Sequence, residues 1–410
     1  MKETIVTRIL DVITTYKTEI LEFTKKLITI ATENPPGALY ETCIEVITNK
    51  LSEVGLDYEI IEVPNQGSSS TTGEIPRYCI LSFYGSGKRT LYFHGHYDVV
   101  PAFSVTQFQP YIENGKLFGR GSSDMKSGLA VMIYALKTIK ELKIPINERI
   151  GLIIVPDEET GGLMGSKYLS DIGVLGKDAI GMLLPEPTSG VIWNASRGAI
   201  SLRITLKGRP AHVALQYQGI NAFEKMILVA NKLLELKTEV ESRTTRHNIH
   251  PDSARSSILM LGGQCEGGTN FNLVPEGVTF TVDRRINPEE DLEVEKQRLL
   301  KLLEECTKQG INLDIEILQE GESSGTSEDC PLAQVLTNSI VAITGNHSKF
   351  EMCPGLLETR FYVKKGVPAF AYGPGIISVS HGPQEYVMIN DIYKCTAIYA
   401  LTAIEVLSNK

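Results

Sequence analysis

Residues 90–101 read Thr-Leu-Tyr-Phe-His-Gly-His-Tyr-Asp-Val-Val-Pro. An apolar run of strand length ends there in two polar residues, His96 and Asp98, placed two apart. That spacing puts both side chains on one side of an extended chain. A carboxylate beside an imidazole fixes its tautomer and raises its basicity, the arrangement commonly found behind a metal-bound histidine. A strand terminus carrying an ordinary polar pair would read the same way, so the segment alone leaves both open.

The surrounding pattern says what kind of strand this is. Helical periodicity covers 5–30, 40–55 and 126–142, while short apolar runs occupy 78–84, 90–95, 149–155 and 179–184. Strands separated by helices predict an α/β unit with a largely parallel sheet flanked by helices. Polar, glycine-rich stretches punctuate it at 64–75 and 156–166. From about 195 a second pattern begins: a strand at 199–206, a helix at 219–238, strands at 256–262 and 277–284, a helix at 289–309 and a strand at 312–318. The order βαββαβ is that of a ferredoxin-like α+β module. The polar run 321–329 reads as a linker, and a helix–strand–helix pattern fills 331–410. The expected organisation is a discontinuous main domain, 1–193 and 321–410, with 194–320 inserted.

Composition narrows the class. With 40 Lys and Arg against 49 Asp and Glu, the net charge is -9, which argues against a nucleic-acid or anionic-membrane partner. Seven scattered cysteines without a CxxC pair favour reduced thiols and a cytoplasmic protein over a disulfide framework. The N-terminal MKETIVTRILDVITTYK reads as an amphipathic helix and not as a signal peptide. No stretch approaches 18 apolar residues, so no membrane span is expected.

Two superficial motifs fail. GSGKRT at 85–90 lacks the first glycine and the Ser/Thr of a phosphate loop. Gly321-Glu-Ser-Ser-Gly325 fits GxSxG but has no apolar strand ending on it and no apolar helix leaving it. Four other segments change the reading of His96 and Asp98. Phe118–Gly128 (FGRGSSDMKSG) places Asp124 in a turn before a helix. Val155–Gly162 (VPDEETGG) puts Glu158 and Glu159 where an apolar strand ends. Leu183–Thr188 (LLPEPT) flanks Glu186 with prolines, and Ser380–Pro383 (SHGP) carries His381. Acids and imidazoles at the ends of apolar runs occupy the position where open α/β sheets build their sites. Carboxylates and imidazoles without thiolates suit hydrolytic zinc, cobalt or manganese. Of two adjacent acids, one can serve as ligand and the other stay free as a base.

Together, HxDxVP, GRGSxDMKxG, EEtGG and SHGP make the chain resemble, from about residue 15 to 405, the dinuclear-zinc amidohydrolase family of acetylornithine deacetylase, succinyl-diaminopimelate desuccinylase, aminoacylase and glutamate carboxypeptidase. The resemblance implies two divalent metal ions per chain, with Asp124 bridging them and often followed by a cis peptide. His96 and Glu186 would complete one site, Glu159 and His381 the other. Asp98 would orient His96, and Glu158 would be the general base toward a metal-bridging water. The inserted module resembles the family's lid and dimerisation domain. There His212, in KGRPAH, would stabilise the oxyanion in the partner subunit of a homodimer. Arg197, Asn272, Arg285 and Arg360 fall where the family contacts substrate.

Two details bear on that substrate, an N-acyl amino acid or a small peptide. Glu rather than Asp at 186 tilts toward deacylation over exopeptidase action. Pro354–Arg360 (PGLLETR) lacks the Thr–Asp pattern of the desuccinylase, which counts against diaminopimelate. His94, His247, His250 and His347 receive no role from the resemblance and are expected to be structural or solvent-facing.

Overall fold

The computed structural model describes residues 2–64 and 75–408. Apart from its two end residues, the polar stretch 64–75 therefore lies outside the described residues. Contacts group the chain into two compact units: Met1–Asn194, Thr326–Phe350 and Phe361–Lys410 form the first, Ala195–Gly325 and Glu351–Arg360 the second.

The first unit is built on a mixed sheet in the order Tyr58–Val63, Arg77–Tyr84, Arg149–Val155, Thr90–His96, Ala179–Leu184, Ala369–Ala371, Ile192–Ser196. Its centre is parallel: Thr90–His96 runs with both Arg149–Val155 and Ala179–Leu184, which in turn runs with Ala369–Ala371. Every residue of Thr90–His96 is buried, so the strand reads as a continuous apolar run rather than an alternating one. Tyr58–Val63 sits at the antiparallel edge and is mostly exposed. Its sequence, YEIIEV, carries no clean alternation, which explains why the pattern did not reveal it. The helices Lys126–Glu141 and Ile389–Ser408 are buried along most of their lengths, and the rings of Phe93 and Tyr399 meet at 4.9 Å. At Gly128 a Cβ would stand 2.5 Å from the Pro185 carbonyl oxygen, so this glycine lets Lys126–Glu141 lie close against the chain that carries Glu186.

The parallel strands set the geometry of the site. His96 pairs with Val155, and Tyr97 N–H donates to Val155 O at 3.1 Å, so two neighbouring strands end level. Their carboxyl ends, with that of Ala179–Leu184, release His96 and Asp98, Glu158 and Glu159, and Glu186.

The second unit is a four-stranded antiparallel sheet in the order Ile258–Gly267, Gly277–Ile286, Gly198–Lys207, Leu313–Gly321, with helices Ala222–Glu241 and Leu292–Lys308. Element order and strand order are those of the ferredoxin-like fold. Asn221 caps the first helix by accepting from Phe223 and Glu224 N–H, and Asp291 caps the second through Val294 N–H. Gly277–Ile286 alternates strictly, with Val278, Phe280, Val282 and Ile286 inward. Arg284 shares that inward row and is tolerated there because Glu290 and Glu295 pair with its guanidinium.

Two boundaries differ from the sequence reading. Glu351–Arg360 groups with the second unit instead of the first. Met352 N–H donates to Asn248 O, and Gly355 O accepts from Arg197 N–H, which ties the segment there. The supposed linker at 321–329 begins as ordered strand: Ser324–Gly325 pairs with Ala195–Ser196. Ser324 is buried because its hydroxyl is matched by those of Ser196 and Thr359, each at 2.8 Å. Polar composition here marks a hydroxyl cluster, not solvent.

Candidate metal centre and active site

Asp124 is the hub of the first unit's site. It follows the Gly-Arg-Gly-Ser-Ser turn, two residues before the helix Lys126–Glu141, and its peptide bond to Met125 is cis, as the resemblance implied. Its two oxygens face different imidazoles: Oδ1 stands 3.2 Å from His96 Nε2, and Oδ2 stands 3.2 Å from His381 Nε2. Glu186 Oε1 lies 3.6 Å from His96 Nε2, and Glu159 Oε2 lies 3.2 Å from His381 Nε2. One ligand atom each from His96, Asp124 and Glu159 falls within 4.8 Å of the other two.

Backbone geometry brings these groups together. His381 and Asp157 take left-handed φ values of 63° and 70°, which side-chain-bearing residues adopt only where surrounding structure holds them. Asp157 is held on several sides, accepting from Thr160 Oγ1 at 2.6 Å, Met164 N–H at 2.8 Å and Asn34 Nδ2 at 3.2 Å. Gly161 and Gly162, at φ 105° and 72°, then turn the chain back after Glu159. Asp98 anchors the other side of that turn. It accepts from the backbone N–H of Glu158 at 3.3 Å and of Glu159 at 3.2 Å, and from Asn34 Nδ2 at 2.9 Å. Its carboxylate also lies 3.3 Å from His96 Nδ1, whose nearest acceptor is the Asp98 carbonyl at 3.0 Å.

The cluster holds more negative charge than its own imidazoles neutralise. Burial works against a charged His96, yet its hydrogen bonds to Asp124 and Asp98 outweigh that and raise its pKa well above the usual imidazole range. Hydrogen bonds to Asp124 and Glu159 push His381 up to about 11. Burial raises Glu159 and Glu186, in each case helped by the charge of Asp124. Burial opposes ionisation of Asp124 as well, but the two imidazoles hold it well below the carboxylate range. Glu159 Oε1 is buried with no hydrogen-bond partner. A buried carboxylate oxygen left unmatched among imidazoles and further acids fits a divalent cation, and the donor set of nitrogen and oxygen without sulfur fits zinc, cobalt or manganese.

The model of peptidase family M20/M25/M40 matches residues 92–405. The chain belongs to that family. It is accordingly a hydrolase of amide bonds. A probable succinyl-diaminopimelate desuccinylase of Staphylococcus epidermidis is 27% identical over 394 residues, covering 90% of this chain and 92% of that protein. The yeast dipeptidase Dug1p of Saccharomyces cerevisiae superposes with a TM-score of 0.82 at 17% identity, covering 99% of both chains. A dinuclear metal-binding M20 peptidase of Bacillus subtilis gives 0.66 at 13% identity, covering 97% of this chain and 100% of that one. At such identities the structural likeness is one of fold.

Within this M20 chain, His96, Asp98, Asp124, Glu158, Glu159, Glu186 and His381 come from the first unit, and the other five sequence-selected residues from the second. His212 is exposed and caps the turn Val213–Gln218, accepting Ala214 N–H on Nδ1 at 3.2 Å. Beside it, Asn272 O accepts from Val213 N–H. Arg285 is partly exposed, with Nε 2.6 Å from Asp283 Oδ1. Arg197 is buried, with Nη2 donating to the Ala254 and Ser256 carbonyls and Nε to Asn287 Oδ1. Arg360 is also buried, donating to Leu357 O at 2.8 Å.

Sequence reading missed two supports. Glu385 accepts the backbone N–H of Ser123 at 2.9 Å and of Asp124 at 3.1 Å, and pairs with buried Arg120 at 2.6 Å. Asn34 links Asp98 to Asp157 and Thr160. Both lie in short polar loops with no periodicity. The signals available were the acid four residues beyond His381 and the asparagine before Pro35–Pro36.

Proposed function

We propose that the chain hydrolyses the amide bond of an N-acyl amino acid, as a deacetylase- or desuccinylase-like enzyme with two divalent ions per chain, zinc in the first instance with cobalt or manganese as alternatives. His96 and Glu186 would hold one ion, Glu159 and His381 the other, with Asp124 shared. The observation that carries this reading is Asp124 itself, whose two oxygens each face a different imidazole at 3.2 Å. The description of the Bacillus subtilis neighbour as dinuclear supports it. Bound there, the cations would polarise the amide carbonyl and acidify the attacking water.

The chain's own residues then divide the work. Glu158 accepts the proton of the attacking water on its carboxylate and delivers it to the leaving nitrogen. Its backbone N–H is held by Asp98, beside the ligand Glu159. His212 donates to the developing oxyanion. Because Nδ1 accepts Ala214 N–H, the neutral ring carries its proton on Nε2, the tautomer such a donor needs. Asn272 and Arg285, both partly accessible, are better placed than the buried Arg197 and Arg360 to meet a substrate carboxylate.

We place His212's contribution in a homodimer built through the second unit. In support, Ile258–Gly267 is an edge strand of its sheet, and the helix Ala222–Glu241 exposes Phe223, Ile227 and Leu234. Among the described residues no disulfide joins any of the seven cysteines, which supports a cytoplasmic setting. Among the described residues no helix is long and apolar enough to cross a membrane.

The test is turnover of acetyl, succinyl and aminoacyl amides of many amino acids by metal-loaded protein, with and without chelator. Chelator-sensitive release from acyl amino acids is expected. Turnover confined to dipeptides would make the chain a dipeptidase or carboxypeptidase, and inertness across the panel would leave a binding protein. Glu158→Gln should lower kcat by several orders of magnitude with metal still bound; unchanged activity would refute its role as base.

A further inference from the structure

His94 received no role from the sequence, yet it is fully buried, two residues before His96 on the same side of the strand. Its Nε2 lies 3.0 Å from Ser166 Oγ, and its Nδ1 lies 3.0 Å from Tyr362 Oη. Both partners are themselves fully buried, and the Tyr362 ring meets the imidazole edge-on at 5.6 Å. A neutral imidazole has one donor and one acceptor, so two hydroxyls satisfy it completely.

Ser166 belongs to the loop that carries Glu158 and Glu159. That loop is folded on itself. Gly162 N–H donates to Asp157 O, Met164 N–H to Asp157 Oδ2, and Thr160 Oγ1 to Asp157 Oδ1. At Gly165 a Cβ would stand 2.3 Å from the Pro156 carbonyl oxygen, so the two arms of the loop touch through backbone alone. The loop is attached to the strand and its extension at two points. Asp98 holds the near arm through the N–H groups of Glu158 and Glu159, and His94 holds the far arm through Ser166. Positions 94, 96 and 98 alternate along one extended segment, with the anchors on either side of the ligand His96.

We propose that His94 is a positioning residue: with Asp98 it clamps the 156–167 loop at two points, and so fixes the Glu158 and Glu159 carboxylates against His96. This rests on the reading of Glu158 as base and Glu159 as ligand. With the His94 anchor gone, the far arm is released while Asp98 and Asn34 still hold the near arm. Displacements near an ångström at a reacting group cost roughly a hundredfold in rate.

Three variants test the clamp: Ser166→Ala, which removes one hydroxyl; His94→Phe, which keeps ring volume; and His94→Gln, which keeps a donor and an acceptor. Hydrogen exchange of peptides spanning 156–167 is compared in metal-free protein, and kcat and KM are measured in metal-loaded enzyme. Ser166→Ala and His94→Phe should speed exchange across the loop and lower kcat roughly ten- to a hundredfold with KM little changed. His94→Gln should recover most of both. Unchanged loop exchange in Ser166→Ala and His94→Phe overturns the clamp, as does a lowered melting temperature with kcat intact. Faster exchange in a protein whose Glu158→Gln variant retains full activity would uphold the clamp and remove the base, so the two ideas fail separately.

Discussion

Glu385 Oε1 accepts the backbone N–H of Asp124 at 3.1 Å, while its other oxygen pairs with Arg120 at 2.6 Å. Asp124, which faces both imidazoles, is thus fixed through its main chain by the Glu385 carboxylate. Arg120 is 1% exposed, so the pair is desolvated and its geometry is constrained on both sides.

Glu385→Ala should therefore do two separable things. It strands a buried guanidinium, which costs about 3–5 kcal/mol. It also frees the Asp124 turn, weakening metal affinity by roughly ten- to a hundredfold. Chemical denaturation of metal-free protein reads the first effect, and a metal titration of the folded variant reads the second. Full affinity in the variant would show that the Asp124 turn holds itself.

The central strands, both long helices of the second unit and the acids and imidazoles that gather around Asp124 were legible in the sequence, for a physical reason. A buried parallel strand must be an apolar run, and its end must turn polar where water and ligands begin, so His96, Glu158, Glu159 and Glu186 announce themselves by position. Edges and polar seams carry no such contrast. Tyr58–Val63 is exposed on most of its length, and Ser324 is polar yet buried because two hydroxyls answer it. His94, expected to be structural or solvent-facing, is buried, but its partners Ser166 and Tyr362 are 72 and 268 residues away in sequence and could not be named from it. Arg197 is expected from the resemblance to meet substrate, and the sequence could not show that carbonyls at Ala254 and Ser256 hold its guanidinium.

The second unit should show acid sensitivity traceable to Glu290. Burial acts to raise its pKa, but hydrogen bonds from Ser257, Asn287 N–H and Arg243, with the charge of Arg284, outweigh it and hold the carboxyl below its ordinary value. A depressed folded-state pKa contributes stability that is present above the unfolded value, about 4.3, and lost as pH falls through the folded value. The stability difference between wild type and Glu290→Gln should accordingly be largest near neutrality and shrink below about pH 4. Urea denaturation of both proteins across that range measures it; a difference independent of pH would mean that packing, not charge, is what the substitution removes.

Thiol reactivity should separate the cysteines by depth. Burial raises the Cys43 thiol to about 11, whereas Cys265 is exposed. Since the thiolate is the nucleophile, Cys43 should resist alkylation at pH 8 in the native protein, and Cys265 should be modified first. Peptide mapping after a timed iodoacetamide pulse gives the order. Rapid labelling of Cys43 would show that the helix Tyr40–Val54 opens readily in solution.

The proposed sharing of Asp124 makes a prediction about stoichiometry that no single ligand could make. Glu186 lies 3.6 Å from the His96 ring nitrogen and Glu159 lies 3.2 Å from that of His381, while Asp124 faces both rings. Wild-type protein saturated with zinc should hold up to two ions per chain. Glu186→Ala and Glu159→Ala should each lose about one, from opposite sides, because each removes one of three protein ligands at a single ion. Asp124→Ala should lose both together, since it removes a ligand from each ion and leaves their charges facing one another without an anion between them. Elemental analysis after gel filtration measures all four proteins under one condition. If Asp124→Ala kept as much metal as either single-side variant, the bridge would be wrong and the cluster would be two independent sites or one.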